Sequence, residues 1–219
     1  MKTFLSDINY SYILICLVIF LKLLNKDLDK KKNIIEKYNS TSSFYDNRYS
    51  KIQKEKYKIL FRNCNLNYKT ILDAGCGTGL LIEYVFNLNI DNIKKKVKYI
   101  GIDISWKMLM NFCDKSKKLK DIEDINLILG DIENLPLRQD SFNAIFSITS
   151  LQNLPVIKKG LGEFIRVGQK DSLLRLSILR KQLKVDDLIA YLKTHTINLK
   201  TEFLENIEDV IIQGSLNKH

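Results

Sequence analysis

The chain contains little proline, glycine, histidine or cysteine for its length. Its 219 residues include only two prolines, nine glycines, two histidines and four cysteines. A chain so poor in proline and glycine does not have the composition of a disordered or low-complexity protein. Hydrophobic residues make up 45% of it, which is ordinary for a globular protein. We therefore expect one folded domain with a single large core.

The cysteines give no sign of a metal site. They are scattered along the chain, at Cys16, Cys64, Cys76 and Cys113. No two of them form a CxxC pair, and only His195 and His219 could complete a ligand set. A structural zinc site is therefore not expected, and no metal is assigned. Scattered, unpaired cysteines fit a reducing compartment.

An apolar run long enough to cross a bilayer is also lacking. Residues 10–24 are mostly apolar and 13–21 are uninterrupted, whereas a span needs about 20 residues. Basic residues follow this run rather than precede it, unlike a secretory signal. The segment is a marginal membrane anchor, an amphipathic or docking helix, or the product of a start codon placed too far upstream. By the positive-inside rule the rest of the chain is expected in the cytoplasm, with membrane association through residues 10–24 as one option.

The positive charge is concentrated near the N-terminus. Residues 1–69 carry 14 Lys and Arg against 6 Asp and Glu, a balance of +8, whereas residues 70–219 have a balance of +2. A basic segment is weak support for RNA or an anionic membrane as a partner. A lysine-rich composition with solvated side chains explains the same numbers.

Apolar runs alternate between the lengths of strands and of helices. Residues 26–40 indicate a linker or an exposed helix, and residues 50–66 a helix that packs one face through Ile52, Tyr57, Ile59, Leu60 and Phe61. Strands are predicted at 70–73, 97–103, 125–129, 142–148, 173–179, 199–204 and 210–213. Helices are predicted at 80–88, after Ser105, at 161–167 and at 185–192. The alternation predicts an α/β fold with a doubly wound, mostly parallel seven-stranded sheet and an antiparallel edge strand.

A glycine-rich turn follows the first predicted strand. Residues 71–79 read Ile-Leu-Asp-Ala-Gly-Cys-Gly-Thr-Gly, and a helical pattern begins directly after them. Glycine permits positive φ and lets a ligand approach the backbone closely. The following helix offers unpaired N–H groups and a partial positive charge at its N-terminus. This combination predicts a site for a nucleotide-like ligand.

Other polar residues stand at the ends of the next strands. Asp103 ends the second strand, Asp131 the third, and Ser147 lies at the end of the fourth. In a doubly wound sheet, ligands bind beyond the carboxyl ends of the strands, near the switch point of the strand order. A carboxylate at Asp103 can accept both hydroxyl groups of a ribose. We therefore expect these residues to surround one ligand together with the glycine turn.

The ordered set of motifs resembles the class I S-adenosylmethionine-dependent methyltransferases, and small archaeal members most. The resemblance rests on Asp73-x-Gly75-x-Gly77-x-Gly79, Asp103, Gly130-Asp131, Phe142–Phe146, and Tyr38 with Phe44-Tyr45-Asp46. The fourth strand of this family usually reads Phe-Asp, so Asn143 is a mild departure. The similarity extends over roughly residues 38–215.

The resemblance implies S-adenosylmethionine as cofactor and a role for each matching residue. The turn residues Gly75, Cys76, Gly77 and Gly79 would approach the methionine part, with Asp73 bracing the turn. Asp103 would bind the ribose, Ile104 would pack on adenine, and Asp131 and the backbone of Ile132 would bind the adenine edge. Tyr45 would close over the cofactor, and Ser147 would border the substrate.

The acceptor side is less well defined by the sequence. No Asn-Pro-Pro-Tyr motif follows the fourth strand, and no strong general base stands out. Gln152 and Asn153 are candidates for orienting a substrate, but helix capping and turn formation explain them equally well. The expected reaction moves a methyl group to an oxygen or nitrogen of a small metabolite, a tRNA or a protein. Some small archaeal members that resemble this chain act with a zinc-ribbon activator subunit, which makes such a partner an option.

Two other functions remain open at this point. An NAD-dependent oxidoreductase also uses a glycine turn and a strand-end acid, although the third glycine comes one residue early for GxGxxG. A non-catalytic adaptor could bind the same cofactor.

The expected organisation is an apolar N-terminal segment (1–25), a basic helical lid (26–66) and a cofactor-binding domain (67–219).

Overall fold

The computed structural model describes residues 10–62, 70–87, 97–119, 124–182, 185–203 and 207–218. The side chains of the first helix are described from residue 25 onward. The side chains of the apolar run at 13–21, Cys64 and the lysines at 94–96 lie outside the described residues. Within the part that is described, no helix combines the length and the apolar character needed to cross a membrane.

Helices and strands alternate after two N-terminal helices. The helices are α1 (Tyr10–Thr41), α2 (Tyr45–Leu60), α3 (Leu80–Asn87), α4 (Trp106–Ser116), α5 (Ile157–Val167) and α6 (Val185–Lys193). The strands are β1 (Thr70–Ala74), β2 (Lys98–Asp103), β3 (Asp124–Leu129), β4 (Phe142–Ile148), β5 (Gly168–Leu179), β6 (Thr196–Phe203) and β7 (Asp209–Leu216). Residues 26–40, for which a linker and a helix were both open, belong to α1.

The strands form one seven-stranded sheet in the order β3-β2-β1-β4-β5-β7-β6. Strands β1 to β5 pair in parallel, and β7 pairs antiparallel with both β5 and β6. The predicted doubly wound, mostly parallel sheet is thus confirmed. Its antiparallel strand, β7, lies one place in from the edge. The strand order reverses between β1 and β4, so their carboxyl ends form the switch point at which ligands bind in such folds.

Apolar side chains cover both faces of the sheet, as a parallel sheet requires. One core layer joins α2, α3 and α4 to the sheet through residues such as Leu60, Ile82 and Phe112. The other joins α5 and α6 to it through residues such as Phe164 and Leu192. The strands in the middle of the sheet are consequently almost continuous apolar runs.

Helix α2 packs with a face that differs from the predicted one. Tyr57, Ile59 and Leu60 are buried as expected, but Ile52 is 38% exposed. The buried face includes Gln53 and Lys56 instead, which are only 5% and 3% exposed. Burying an amide and an ammonium group is costly unless both find partners. We therefore expect the buried side chains of Gln53 and Lys56 to have polar partners within the protein or in a bound ligand.

Candidate functional site

The glycine turn between β1 and α3 is built from left-handed backbone. Gly75, Gly77 and Gly79 have φ angles of 83°, 55° and 81°, a region that residues with a Cβ rarely adopt. The N–H groups of Gly75 and Cys76 donate to the carbonyl of Ile102, at 2.8 and 3.0 Å. The turn is therefore held against the end of β2.

The three glycines differ in what lies beside them. A Cβ at Gly77 would meet nothing within 4 Å, so a ligand can approach the backbone there. At Gly75 it would lie 2.1 Å from the hydroxyl oxygen of Ser150, and at Gly79 2.5 Å from the ring of Phe112. Gly79 therefore allows α3 to pack against α4, and its approach to the cofactor stays a prediction.

Asp103 joins the glycine turn to the helix that follows β2. Its Oδ2 accepts a hydrogen bond from the N–H of Gly77 at 2.9 Å, and its Oδ1 accepts one from the N–H of Ser105 at 2.8 Å. Burial raises the pKa of Asp103 above its usual value, against the opposing effect of backbone hydrogen bonds. Ser105 caps α4 as predicted, because its Oγ accepts from the N–H of Met108. The carboxylate is thus held in place at the edge of the pocket described next.

A pocket opens at the switch point of the sheet, and we call it the main pocket. It has a volume of about 670 Å³, including its open mouth. Eight residues singled out from the sequence line it: Tyr45, Gly75, Gly77, Asp103, Ile104, Asp131, Ile132 and Asn153. A smaller adjoining pocket of about 310 Å³, the inner pocket, is lined by Asp73 and Cys76 among others. The two pockets share Tyr45, Gly75, Gly77 and Ile148.

Two residues expected on the substrate side do not reach the pocket. Ser147 is fully buried, and its hydroxyl group donates to the carbonyl of Ala74 at 2.9 Å, which ties β4 to β1. Gln152 is 7% exposed, and its Nε2 donates to the carbonyl of Thr149 at 2.5 Å. Neither residue lines the main pocket, and a substrate contact of either stays a prediction. Alternation along β4 turns Ser147 away from the pocket, and a local turn engages Gln152.

Asp73 lies below the glycine turn at the inner pocket. Its carboxyl group is 2% exposed and accepts a hydrogen bond from the hydroxyl group of Tyr99. Burial raises the pKa of Asp73 to about 7, although the bond from Tyr99 acts in the opposite direction. Asp73 thus links β1 to β2 beneath the turn, and its protonation changes in the neutral pH range.

Helix α1 supplies a wall of the main pocket that sequence reasoning largely missed. Lys31, Ile34 and Tyr38 line it, and their spacing places them along one face of the helix. Tyr38 was noted only as part of the family pattern, and its hydroxyl oxygen accepts a hydrogen bond from Nδ2 of Asn153 at 2.9 Å. The i, i+3, i+7 spacing is the signal that could have identified this wall.

Two lysines of α1 bind the opposite rim of the main pocket. The ammonium group of Lys31 lies 2.6 Å from carboxylate oxygens of both Asp131 and Glu133. Lys30 donates to the carbonyl of Leu154 at 2.5 Å. Burial lowers the pKa of Lys31, but the hydrogen bonds to the two acids outweigh it and raise the pKa above its usual value. These contacts hold helix α1 against the residues on the other side of the main pocket.

A buried polar cluster supports the turn that follows β4. The Lys56 ammonium group lies 2.8 Å from Oδ2 of Asp209 and donates to Oγ1 of Thr149 at 2.7 Å. Ser177 donates to the same Asp209 oxygen at 2.5 Å. Thr149 itself has a φ of 56° and lines the main pocket. Lys56 thus anchors one wall of the pocket from behind, a role that no sequence motif indicated.

Metal ligands do not gather in this region. Within the described ranges, no three side chains of His, Cys, Asp or Glu are grouped so that they could hold an ion. The polar groups that line the main pocket are carboxylates, an amide, hydroxyl groups, the ammonium group of Lys31 and backbone, which suit an organic ligand.

This strand order, with a glycine turn after β1 and carboxylates after β2 and β3, defines the class I S-adenosylmethionine-dependent methyltransferases. The profile of the methyltransferase domain family matches residues 65–213. The chain belongs to that family.

Curated relatives are methyltransferases of several kinds. The chain is 30% identical to the ubiquinone/menaquinone biosynthesis C-methyltransferase of Campylobacter jejuni, over 67% of the chain and 63% of the relative. It is 26% identical to a malonyl-[acyl-carrier protein] O-methyltransferase of Hamiltonella defensa, over 68% of the chain and 53% of the relative. The chain thus spans less than two thirds of the length of each.

Solved structures share the fold at low sequence identity. A Haloferax volcanii methyltransferase in complex with the activator Trm112 has a TM-score of 0.68 at 12% identity, covering 83% of this chain and 98% of that one. Magnesium protoporphyrin IX methyltransferase from Synechocystis with bound S-adenosylmethionine has a TM-score of 0.66 at 17% identity, covering 86% and 97%.

Proposed function

We propose that the chain transfers a methyl group from S-adenosylmethionine to an acceptor bound at the main pocket. The observation that carries this proposal is the open space beside the Gly77 backbone, which Asp103 and Asp131 flank. The residues fit the cofactor: Asp103 can accept from the ribose hydroxyl groups, and Asp131 and Ile132 can bind the adenine edge. The glycine turn then faces the methionine part.

Methyl transfer makes modest demands on the protein. The sulfonium cofactor supplies an activated methyl group, so what remains is alignment of a nucleophile and exclusion of water. Tyr38 and Asn153 are hydrogen-bonded across the main pocket, and Tyr45 lies beside them in its wall. These contacts hold residues of the segment 26–66 against the pocket, and they support the proposal that this segment acts as a lid.

The acceptor atom is proposed to be oxygen or nitrogen of a small metabolite, a tRNA or a protein. Carbon is a further candidate for the acceptor atom, since the relatives include a C-methyltransferase as well as an O-methyltransferase. The main pocket includes the apolar side chains of Ile34, Met108, Leu154 and Pro155. This wall favours a small acceptor with an apolar part over a purely polar one.

Partners and location remain proposals as well. The Haloferax protein is bound to an activator subunit, which supports testing a zinc-ribbon partner here. The basic excess before residue 70 supports RNA only weakly. Residues 10–24 are proposed to associate with a membrane surface, with the rest of the chain in the cytoplasm.

Calorimetry with S-adenosylhomocysteine and with NAD tests the proposal first. We expect micromolar binding of S-adenosylhomocysteine and none of NAD; the reverse would favour the oxidoreductase alternative. Mass spectrometry of RNA, protein and small-molecule fractions from cells lacking this protein should then show one lost methyl group. Cofactor binding without any lost methyl group would favour the non-catalytic adaptor.

A further inference from the structure

Gln53 is a buried amide with an unused acceptor. It lies on the buried face of α2 and is 5% exposed. Its Oε1 has no hydrogen-bond partner within the described part of the chain. Leaving such an oxygen unpaired costs about 1–3 kcal/mol, so an unpaired one in a pocket wall suggests a ligand donor.

The other end of the same amide is already engaged. A hydrogen bond between Gln53 and the hydroxyl group of Tyr45 lowers the pKa of Tyr45, although burial, the larger effect, raises it overall. This contact orients the amide so that Nε2 faces Tyr45 and Oε1 is left for another donor. Lys56, one turn further along α2, is engaged by Thr149 and Asp209.

The inner pocket places Gln53 beside a second acceptor. Asp73, Gly75 and Thr78 line this pocket together with Gln53, and Gly75 connects it to the main pocket. A carboxyl group and an amide oxygen around one small space suit a cationic donor better than an anion. The α-ammonium group of an amino acid has the required charge and three N–H bonds.

We propose that Gln53 binds the α-ammonium group of the cofactor through Oε1, and so selects ligands that carry a complete amino-acid end. The inference rests on the proposed function, because it requires the methionine part to enter the inner pocket. Helix α2 would then serve the site in two ways. Gln53 would bind the cofactor directly, and Lys56 would support Thr149, which lines the main pocket.

Calorimetry with two ligands tests this role. The ligands are S-adenosylhomocysteine and its analogue in which hydrogen replaces the α-amino group. We expect the unaltered protein to bind S-adenosylhomocysteine at least tenfold more tightly than the analogue. Gln53→Met should lose about 10- to 100-fold in affinity for S-adenosylhomocysteine and little for the analogue, since only the former donates to Oε1.

Two further variants separate binding from structure. Gln53→Glu keeps an acceptor at this position and should retain the preference for the ammonium-bearing ligand. Gln152→Met is the matched control, because Gln152 is equally buried, has an unpaired Oε1 and lines neither pocket. Any effect of Gln152→Met should fall equally on both ligands.

The outcomes distinguish this inference from the proposed function. Equal losses for both ligands in Gln53→Met, or no loss, would overturn the role of Gln53 while leaving the methyltransferase proposal intact. Failure of the unaltered protein to bind S-adenosylhomocysteine would overturn both. The melting temperature of ligand-free Gln53→Met should fall modestly, because the variant also removes the hydrogen bond to Tyr45. That loss is the same whichever ligand is tested, so the difference between the two ligands still measures the role of Oε1.

Discussion

Asp103 shows how one side chain can organise a binding site before a ligand arrives. Its two carboxylate oxygens accept from the backbone of Gly77 and Ser105, which belong to different turns. Asp103 lines the main pocket and each of its oxygens can accept a further hydrogen bond, so a ribose bound there would find acceptors already fixed in place. Pre-orientation of this kind reduces the entropy lost on binding.

Replacing Asp103 should weaken cofactor binding more than stability. We expect Asp103→Ala to reduce affinity for S-adenosylhomocysteine at least tenfold, because hydrogen bonds to a charged group contribute about 1.5–3 kcal/mol each. The protein should remain folded by circular dichroism. Asp124→Ala, at an exposed position at the start of β3, is the control and should bind normally. Unchanged affinity of Asp103→Ala in calorimetry would refute the assignment of this site.

Asp73 makes stability depend on pH in a defined direction. Its pKa is about 7 in the folded protein, whereas an unfolded Asp titrates near about 3.9. Between these values the folded state keeps a proton that the unfolded state has released. The contribution of Asp73 to the free energy of unfolding therefore falls as pH rises from about 4 to about 7, and is constant outside that window.

Urea unfolding of Asp73→Asn and of the unaltered protein across this range measures that contribution. The unfolding free energy of Asp73→Asn, relative to the unaltered protein, should increase from pH 4 to pH 7, because Asn cannot ionise. Other titrating groups cancel in the difference. A difference that does not vary with pH would mean that Asp73 ionises normally.

At the scale of single elements, α2 is fastened to the sheet by a buried ion pair. The side chains of Lys56 and Asp209 are 3% and 2% exposed, and Lys56 also donates to Thr149. Burial lowers the pKa of Lys56, against the attraction of Asp209. Removing one partner leaves the other charge buried without compensation.

A double-mutant cycle measures this fastening. Lys56→Met should lower the free energy of unfolding by about 3–5 kcal/mol, and the Lys56→Met/Asp209→Leu double variant should recover much of that loss. Lys58→Met, two positions along on the exposed face, is the control and should change little. Additive losses in urea unfolding would show that the two charges do not stabilise each other.

At the scale of the whole molecule, α1 connects the apolar N-terminal segment to the pocket. The helix runs from Tyr10 to Thr41, and its residues Lys31, Ile34 and Tyr38 line the main pocket. The predicted division into 1–25, 26–66 and 67–219 thus cuts through one continuous helix. We expect this division to be functional: the part of the helix before residue 26 should not affect cofactor binding, and the part after it should.

Two shortened variants test it. A chain beginning at residue 26 should bind S-adenosylhomocysteine within about twofold of the full chain, because the pocket contacts of α1 remain. A chain beginning at residue 42 should bind at least tenfold more weakly, since it lacks Lys31, Ile34 and Tyr38. Equal calorimetric affinities of the two variants would show that α1 is no lid. Only the full chain should sediment with anionic phospholipid vesicles.

Sequence alone determined the order of strands and helices, the glycine turn, and the carboxylates that follow β2 and β3. These features are local: an apolar run, a glycine that needs positive φ, and a polar residue at a strand end are each encoded by a few neighbouring residues. The fourth strand was predicted at 142–148 and is found there. Strand β5 was predicted to begin at Leu173 and begins at Gly168, because Gly168 pairs with Phe142 ahead of an irregularity and residues 168–172 carry no apolar pattern.

Only the tertiary structure decided which of these residues line the pocket. The contact of Gly79 with Phe112, the turning away of Ser147, the pocket wall on α1 and the Lys56–Asp209 pair all join residues far apart in sequence. The side of a strand or helix that faces a pocket depends on packing and register across the whole sheet, and short sequence patterns do not encode it. The glycine turn could therefore be identified from the sequence, whereas the buried amide of Gln53 beside it could not.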